Sequence, residues 1–461
     1  MAEATGAEGA SAPTRTFFGE PLALAYLSFT EAWERFSYYG MTALLVLYMT
    51  EALFTPGRIG NVAGFAGFRA GLESVFGPMS TLALASQIYG LYTGFVYFTP
   101  VFGGWIADRF IGRKRAVMAG AILMSGGHIA MAFDQSFLLA LVLLIVGCGL
   151  LKGNISTQVG QLYAEDDGNG RTRGYSIFSM GINVGATLGP LVCGLLAQLY
   201  GWHAGFGLAG VLMLTGLATY LAGYKTLTEE TPAANRGTAK RAPLGAHEWR
   251  IVLALAVAMA LTVFQSVAYY QNSSIALVWI DAHVDLNLLG FRIPTSWFNS
   301  IDPFVSILFV PVLIRLWEWQ DRHGGEPNEI VKIATGAWMA AAANFLLVAG
   351  CLTMTRVSAI FPVVYDVILG IAFLYYWPPL LALVSRAAPT GLKATLIGAA
   401  FLSLFVSNLI VGWVGTYYEH MPPAAFWLLE GGISALGSVL AYLLATPLNR
   451  ILAPPPLPNG P

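Results

Sequence analysis

Apolar residues run along nearly the whole chain in windows of roughly 20, the length needed to cross a hydrocarbon core about 30 Å thick. Twelve such windows stand near 22–50, 83–106, 115–133, 137–160, 174–198, 204–223, 250–279, 296–317, 333–354, 359–385, 395–416 and 424–446. The pattern predicts twelve membrane-spanning helices, and the windows longer than 25 residues are expected to tilt or to project into water. Between the sixth and seventh windows the chain turns polar and rich in Pro, Ala and charge, as KTLTEETPAANRGTAKRAPLGAH. This break divides six spans from six. The expected organisation is a disordered cytoplasmic tail over 1–21, a six-helix bundle over 22–224, a cytoplasmic linker over 225–248, a second six-helix bundle over 249–447 and a disordered cytoplasmic tail over 448–461.

The polar positions inside the windows are the informative ones. Within the first window, EAWERFSYYG places Glu31, Glu34 and Arg35 at i, i+3 and i+4, so they share one helical face, which Tyr38 and Thr42 continue. A charge at mid-bilayer costs several kcal/mol, so such residues face a bundle interior or a wet cavity and mark an ion or substrate pathway. The three sum to one net negative charge, and the spare carboxylate is free to take a proton. The alternative is an ion pair that only packs helices. Lys152 is a second charge deep inside a window, more than ten residues from its start, and it needs an acidic partner or a functional anion.

Composition agrees with the pattern. The chain is 56% hydrophobic and 11% charged, with a mean hydropathy of +0.64, which excludes an ordinary soluble domain. Basic residues cluster in alternate loops, at Arg113-Lys114-Arg115, Arg171 and Arg173, and Lys240-Arg241, so those loops and both termini are expected on the cytoplasmic side. No basic tract suggests nucleic acid, and the N-terminal stretch lacks the layout of a cleaved signal. The three cysteines are scattered, the six histidines show no metal-binding spacing, and there is no Walker A loop. Enzymatic activity, a metal, a cofactor and ATP-driven transport are therefore not expected.

A second motif lies between windows two and three. GGWIADRFIGRKR at 103–115 sets Asp108 and Arg109 just beyond a span, Gly112 at a turn, and Arg113 at the head of the basic triplet. Its two readings are a cytoplasmic latch, in which the acid bridges to a neighbouring base or helix N-terminus, and ordinary anchoring of a cytoplasmic loop. The spacing favours the latch, which makes Asp108, Arg109 and Arg113 candidate gating residues.

Two six-helix halves around a central cavity are the architecture of the major facilitator superfamily. Within it, EAWERFSYYG, GGWIADRFIGRKR, GCGLLKGNIS at 147–156, FSMGINVGATLGPL at 178–191 and SWFNSIDP at 296–303 resemble the proton-dependent oligopeptide transporters over nearly all of residues 20–445. The resemblance implies an all-α membrane protein that imports di- or tripeptides with protons by alternating access. By the same resemblance, Glu31, Glu34, Arg35 and Lys152 belong to proton coupling, with Arg35 and Lys152 also near the peptide carboxylate. Tyr38, Tyr97 and Asn183 match positions lining the peptide site. Trp297 and Trp377 are candidate pocket walls or interface anchors. The implied partners are a small peptide, protons and the lipid bilayer, and the implied setting is a monomer in the cell inner membrane.

The chain also departs from that family's pattern. Tyr270 and Phe373 align where acidic residues are usual, and Asp302 stands where asparagine is usual. Recognition of a substrate amine is therefore expected at Asp302. The competing reading makes Asp302, beside Pro303, the cap of a helix. The lost acids leave open a modified peptide or another small amine or anion as substrate, and a receptor that transports nothing is the alternative from a different class. No role follows from the sequence for the intramembrane acids Asp366 and Glu430.

Overall fold

A computed structural model describes residues 16–164, 167–227, 244–389 and 392–453. Its long helices are α1 (Leu22–Tyr48), α3 (Thr81–Ile106), α4 (Arg113–Ala130), α5 (Phe137–Gln161), α6 (Gly168–Tyr200), α7 (Trp202–Gly223), α8 (Ala246–Tyr270), α10 (Ile301–His323), α11 (Glu329–Thr353), α12 (Ile360–Ala387), α13 (Lys393–Gly415) and α14 (Pro423–Leu452). Among the described residues, nine helices are long and apolar enough to cross a membrane. The shortfall against twelve falls on α1 and α4, which carry charged clusters, and on α3, which is diluted by Gly, Ser, Thr and Tyr. Each of these is as long as a span requires, and α4, with 18 residues, is the shortest of the twelve.

Two elements depart from the expected pattern. A short helix α2 (Phe65–Phe76) lies between the first two spans, largely exposed. The window at 250–279 is not one helix: α8 ends at Tyr270, a tight turn covers Gln271–Ser273, and α9 (Ile275–His283) resumes the course. Four consecutive polar residues, Gln271, Asn272, Ser273 and Ser274, mark the break. The chain tails also differ from expectation where they are described, since Thr16–Phe17 pairs with Glu20–Pro21 and α14 continues to Leu452. The remainder of both tails and most of the 225–248 linker lie outside the described residues.

Glycines set how closely the helices approach. Gly181, Gly185 and Gly189 form a stripe on α6 against which the α1 backbone lies, and a Cβ at Gly185 would stand 2.3 Å from the Ala32 carbonyl oxygen. A Cβ at Gly103 of α3 would meet the Gly149 carbonyl of α5 at 2.0 Å. Close backbone approach through small residues is how helices pack where no water drives them together. One apolar cluster is built from α1–α7, with Tyr48, Met124, Phe137 and Phe206 buried in it. Two further clusters come almost wholly from α8–α14, one around Trp279, Tyr365 and Trp427, the other around Leu255, Leu380 and Leu383.

Hydrogen bonds between the α1–α7 and α8–α14 groups cluster toward one end of the molecule, the end bearing Glu51, Arg292 and Glu419. There Ser296 donates to the Pro190 carbonyl at 3.2 Å, Trp297 Nε1 to the Leu191 carbonyl at 2.8 Å and Gln198 to the Arg292 carbonyl at 2.8 Å, while Ser80 binds Glu419. Helix α3 also runs along α13, with Gly90 against Gly412 and Ser86 donating to the Gly412 carbonyl at 3.2 Å.

Candidate functional site

Helix α1 carries a closed charge cluster. Arg35 grips Glu34 with both arms of its fork, through Nε and, at 2.5 Å, through Nη2, and its Nε lies 3.3 Å from Glu31 Oε1. All three side chains are buried, Glu34 completely. The geometry separates the two acids. Glu34 is fully engaged by the guanidinium, whereas Glu31 Oε2 has no hydrogen-bond partner. Glu31 is thus the spare carboxylate of the motif. The Arg35 guanidinium also stands over the Tyr38 ring, 5.1 Å from its centre, so Tyr38 joins the cluster through a cation–π contact.

Lys152 reaches the same region from α5. Its Nζ lies 4.4 Å from the centre of the Tyr97 ring on α3, and it forms no ion pair among the described residues. Tyr97 and Tyr270 join hydroxyls at 3.2 Å, which brings α8 to the same place. Lys152, Tyr97 and Tyr270 are half-buried, in contrast to the sealed Arg35 cluster. A half-buried ammonium on an aromatic face, with no carboxylate in contact, has the chemistry to pair with an incoming anion.

The α8–α14 side contributes aromatic walls and one acid. Tyr269 donates its hydroxyl to Asp302, and its ring stacks on Phe373 at 5.6 Å. Tyr270 and Tyr376 close the same group, the first edge-on to Tyr269 at 5.0 Å and the second edge-on to Phe373 at 5.7 Å. Asp302 sits in the first turn of α10 and caps nothing: the residue before the helix is Ser300, and no side-chain cap bond forms there. The helix-cap reading of Asp302 is accordingly set aside.

The remaining candidates lie elsewhere. Asn183 is half-buried on α6, where its backbone carbonyl accepts from Thr187, and no hydrogen bond among the described residues joins it to Lys152 or Tyr97. Trp297 belongs to the seam at the Glu51 end described above. Trp377 packs against Tyr376 and Phe401 at 6.1 and 5.3 Å, between α12 and α13. In the 103–115 loop, Asp108 and Arg113 pair at 2.8 Å across the turn at Gly112, and Arg109 is exposed. The acid of the supposed latch therefore reaches a base of its own loop. Sequence reasoning missed Tyr269 and Gln271, whose bonds to Asp302 and Glu430 arise from helix packing. It also missed Lys114, whose Nζ donates to the Leu227 carbonyl at 3.2 Å and stands over the Tyr224 ring at 4.2 Å, tying α4 to the chain leaving α7.

Comparison with known proteins places these features in a family. The model of the POT family matches residues 114–244 and 243–428. The chain is 31% identical to an uncharacterized transporter of Bacillus subtilis, YclF, over 96% of this chain and 97% of that one. It is 28% identical to a di-/tripeptide transporter of Lactococcus lactis subsp. cremoris, covering 95% of this chain and 98% of the other. A crystal structure of a peptide transporter POT in complex with sulfate superposes with a TM-score of 0.83 at 27% identity, over 96% of this chain and 98% of that one. The same kind of transporter in complex with alafosfalin gives a TM-score of 0.82 at 27% identity, again covering 96% and 98%. With its helices arranged as in the major facilitator fold and its matches spanning nearly its whole length, the chain is a multi-pass membrane protein that belongs to the POT family.

Proposed function

We propose that the protein is a proton-coupled symporter that imports di- or tripeptides by alternating access. The observation that carries this reading is the meeting of Lys152, Tyr97 and Tyr270 between the two groups of helices, within electrostatic reach of a charge cluster that holds a spare carboxylate. Lys152 receives the substrate carboxylate, with Arg35 behind it, and Asp302 offers the negative end for the amine. Tyr38, Tyr97, Tyr270 and the aromatic group around Phe373 supply walls that accept varied side chains. Glu31 exchanges the proton, and Glu34 fixes Arg35. Asn183, Trp297 and Trp377 remain proposed as outlying substrate contacts, and Asp108, Arg109 and Arg113 as gating residues.

With both termini cytoplasmic, the Glu51 end faces outward, and the conformation described is closed to the outside. Its partner state requires Trp297 and Ser296 to release the carbonyls of Leu191 and Pro190. The protein is proposed to work as a monomer in the inner membrane, with no cofactor other than the transported proton.

One observation favours a second reading of the substrate. The amine end of the site is built from Tyr269, Phe373 and Tyr376 around a single acid, an environment that also suits a modified peptide or another small amine or anion. Uptake into proteoliposomes under an imposed proton gradient, with competition by a peptide library, tests both. Concentrative uptake of unmodified dipeptides supports the first reading, and uptake only of another competitor class supports the second. Absence of uptake of any competitor would favour the receptor reading instead.

A further inference from the structure

Helices α10, α12 and α14 each bury one carboxylate, Asp302, Asp366 and Glu430, at 7%, 2% and 0% exposure. Among the described residues none of them is paired with a basic side chain. The three are linked. Asp366 and Gly370 stand at i and i+4 on α12, and Asp302 lies against Gly370, where a Cβ would be 2.8 Å from the Asp302 backbone oxygen and 3.2 Å from its Oδ1. Asp366 therefore shares the face of α12 that meets Asp302. Tyr269 donates to Asp302, and two residues further on Gln271 donates to Glu430 Oε1 at 2.9 Å. Tyr365, beside Asp366, packs its ring 6.1 Å from that of Trp427, which stands one turn before Glu430 on α14.

This region is polar and under-satisfied. Asp366 Oδ2, Glu430 Oε2, the Tyr365 hydroxyl, Gln271 Oε1 and Ser300 Oγ are all buried without a hydrogen-bond partner. Among the described residues, no ion pair joins a cation to these acids. Helix α10 presents Asp302, α8 presents Tyr269, α11 presents Asn344, and the lysines of α11 and α13, Lys332 and Lys393, lie at the opposite ends of their helices. An unpaired charge inside a bundle is costly, and the smallest ligand that removes the cost is a proton.

We propose that Asp366 and Glu430, joined to the substrate site through Asp302, Tyr269 and Gln271, form a second proton-binding site in the α8–α14 group. It loads a proton in addition to the one exchanged on Glu31. The proton arrives from water on the outer side, adds to a carboxylate oxygen of this site, and leaves to water on the inner side; no other bond changes. The inference rests on the reading of the protein as a proton-coupled transporter.

The test is the proton-to-substrate ratio, obtained from reversal potentials in proteoliposomes, for wild type, Asp366→Asn and Glu430→Gln. Each substitution is expected to lower the ratio by one whole proton while counterflow exchange persists. Retention of the wild-type ratio by both variants would overturn the proposal. A second measurement does not depend on transport or on these two variants folding. In infrared difference spectra of a Glu31→Gln/Asp302→Asn protein between acid and alkaline pH, a buried carboxylic-acid band should remain, and its absence would equally overturn the proposal. Should wild type exchange no peptide at all, the transport reading fails, and the infrared band still decides whether the second site binds a proton.

Discussion

Glu31 and Glu34 stand three residues apart on one helical face, yet the structure gives them different partners. Because Glu34 is held by both arms of Arg35 and Glu31 keeps one oxygen free, Glu31→Gln should abolish gradient-driven accumulation while leaving counterflow exchange intact. Loss of both activities together would show a binding or structural role instead. Glu34→Gln breaks the fork and is expected to impair both. Lys152→Ala should weaken substrate binding as well as coupling: a charge-assisted hydrogen bond contributes about 1.5–3 kcal/mol, or roughly ten- to a hundredfold in affinity. Unchanged affinity for a dipeptide, measured by competition, would remove Lys152 from the site. Asp302→Asn should narrow the preference for a free over an acetylated amino terminus. Equal relative potency of the two peptides in wild type and variant would contradict the amine role of Asp302.

At the scale of elements, the sequence announced the helices better than their interruptions. Windows of apolar residues are a sum over many positions, so the long helices were legible, whereas the turn at Gln271–Ser273 rests on a few residues inside an otherwise apolar run. Helix α2, FAGFRAGLESVF, was not read because it is too short to span, although Phe65, Phe68 and Leu72 recur at helical spacing and pack on the core. The site was partly legible. Glu31, Glu34 and Arg35 lie within one turn and a local spacing rule finds them, but the contacts of Lys152 with Tyr97 and of Asp302 with Tyr269 depend on helix packing that no local pattern encodes. Adjacent glycines test that packing. Gly103→Ala drives a methyl group into the Gly149 carbonyl and should destabilise the protein by about 1–3 kcal/mol. Gly104 has no neighbour within 4 Å, and its replacement by Ala should be neutral or stabilise by up to about 1 kcal/mol. Thermal unfolding of the two variants in detergent measures the contrast, and equal melting temperatures would refute the packing described for α3 on α5.

For the whole molecule, the bonds between the two groups of helices have an asymmetric distribution, and this is where transport would be controlled. Trp297→Ala removes a seam bond and buried aromatic surface at the Glu51 end, so it should shift the resting population toward the outward-open state. Accessibility of a cysteine introduced at Ser296 to a membrane-impermeant thiol reagent reports this: labelling should rise in Trp297→Ala, and unchanged labelling would mean that the seam does not hold that end closed.

The energetics of coupling are sufficient for the proposed role. Moving one charge across about 150 mV releases roughly 3.5 kcal/mol, which supports between two and three decades of accumulation before any pH gradient is added. The most direct measurement is therefore dipeptide uptake by purified protein in proteoliposomes, with and without an imposed inward proton gradient. The expected result is concentrative uptake that a protonophore collapses to equilibration and that Glu31→Gln lacks. Uptake indifferent to the proton gradient, or no uptake of any dipeptide, would contradict the account.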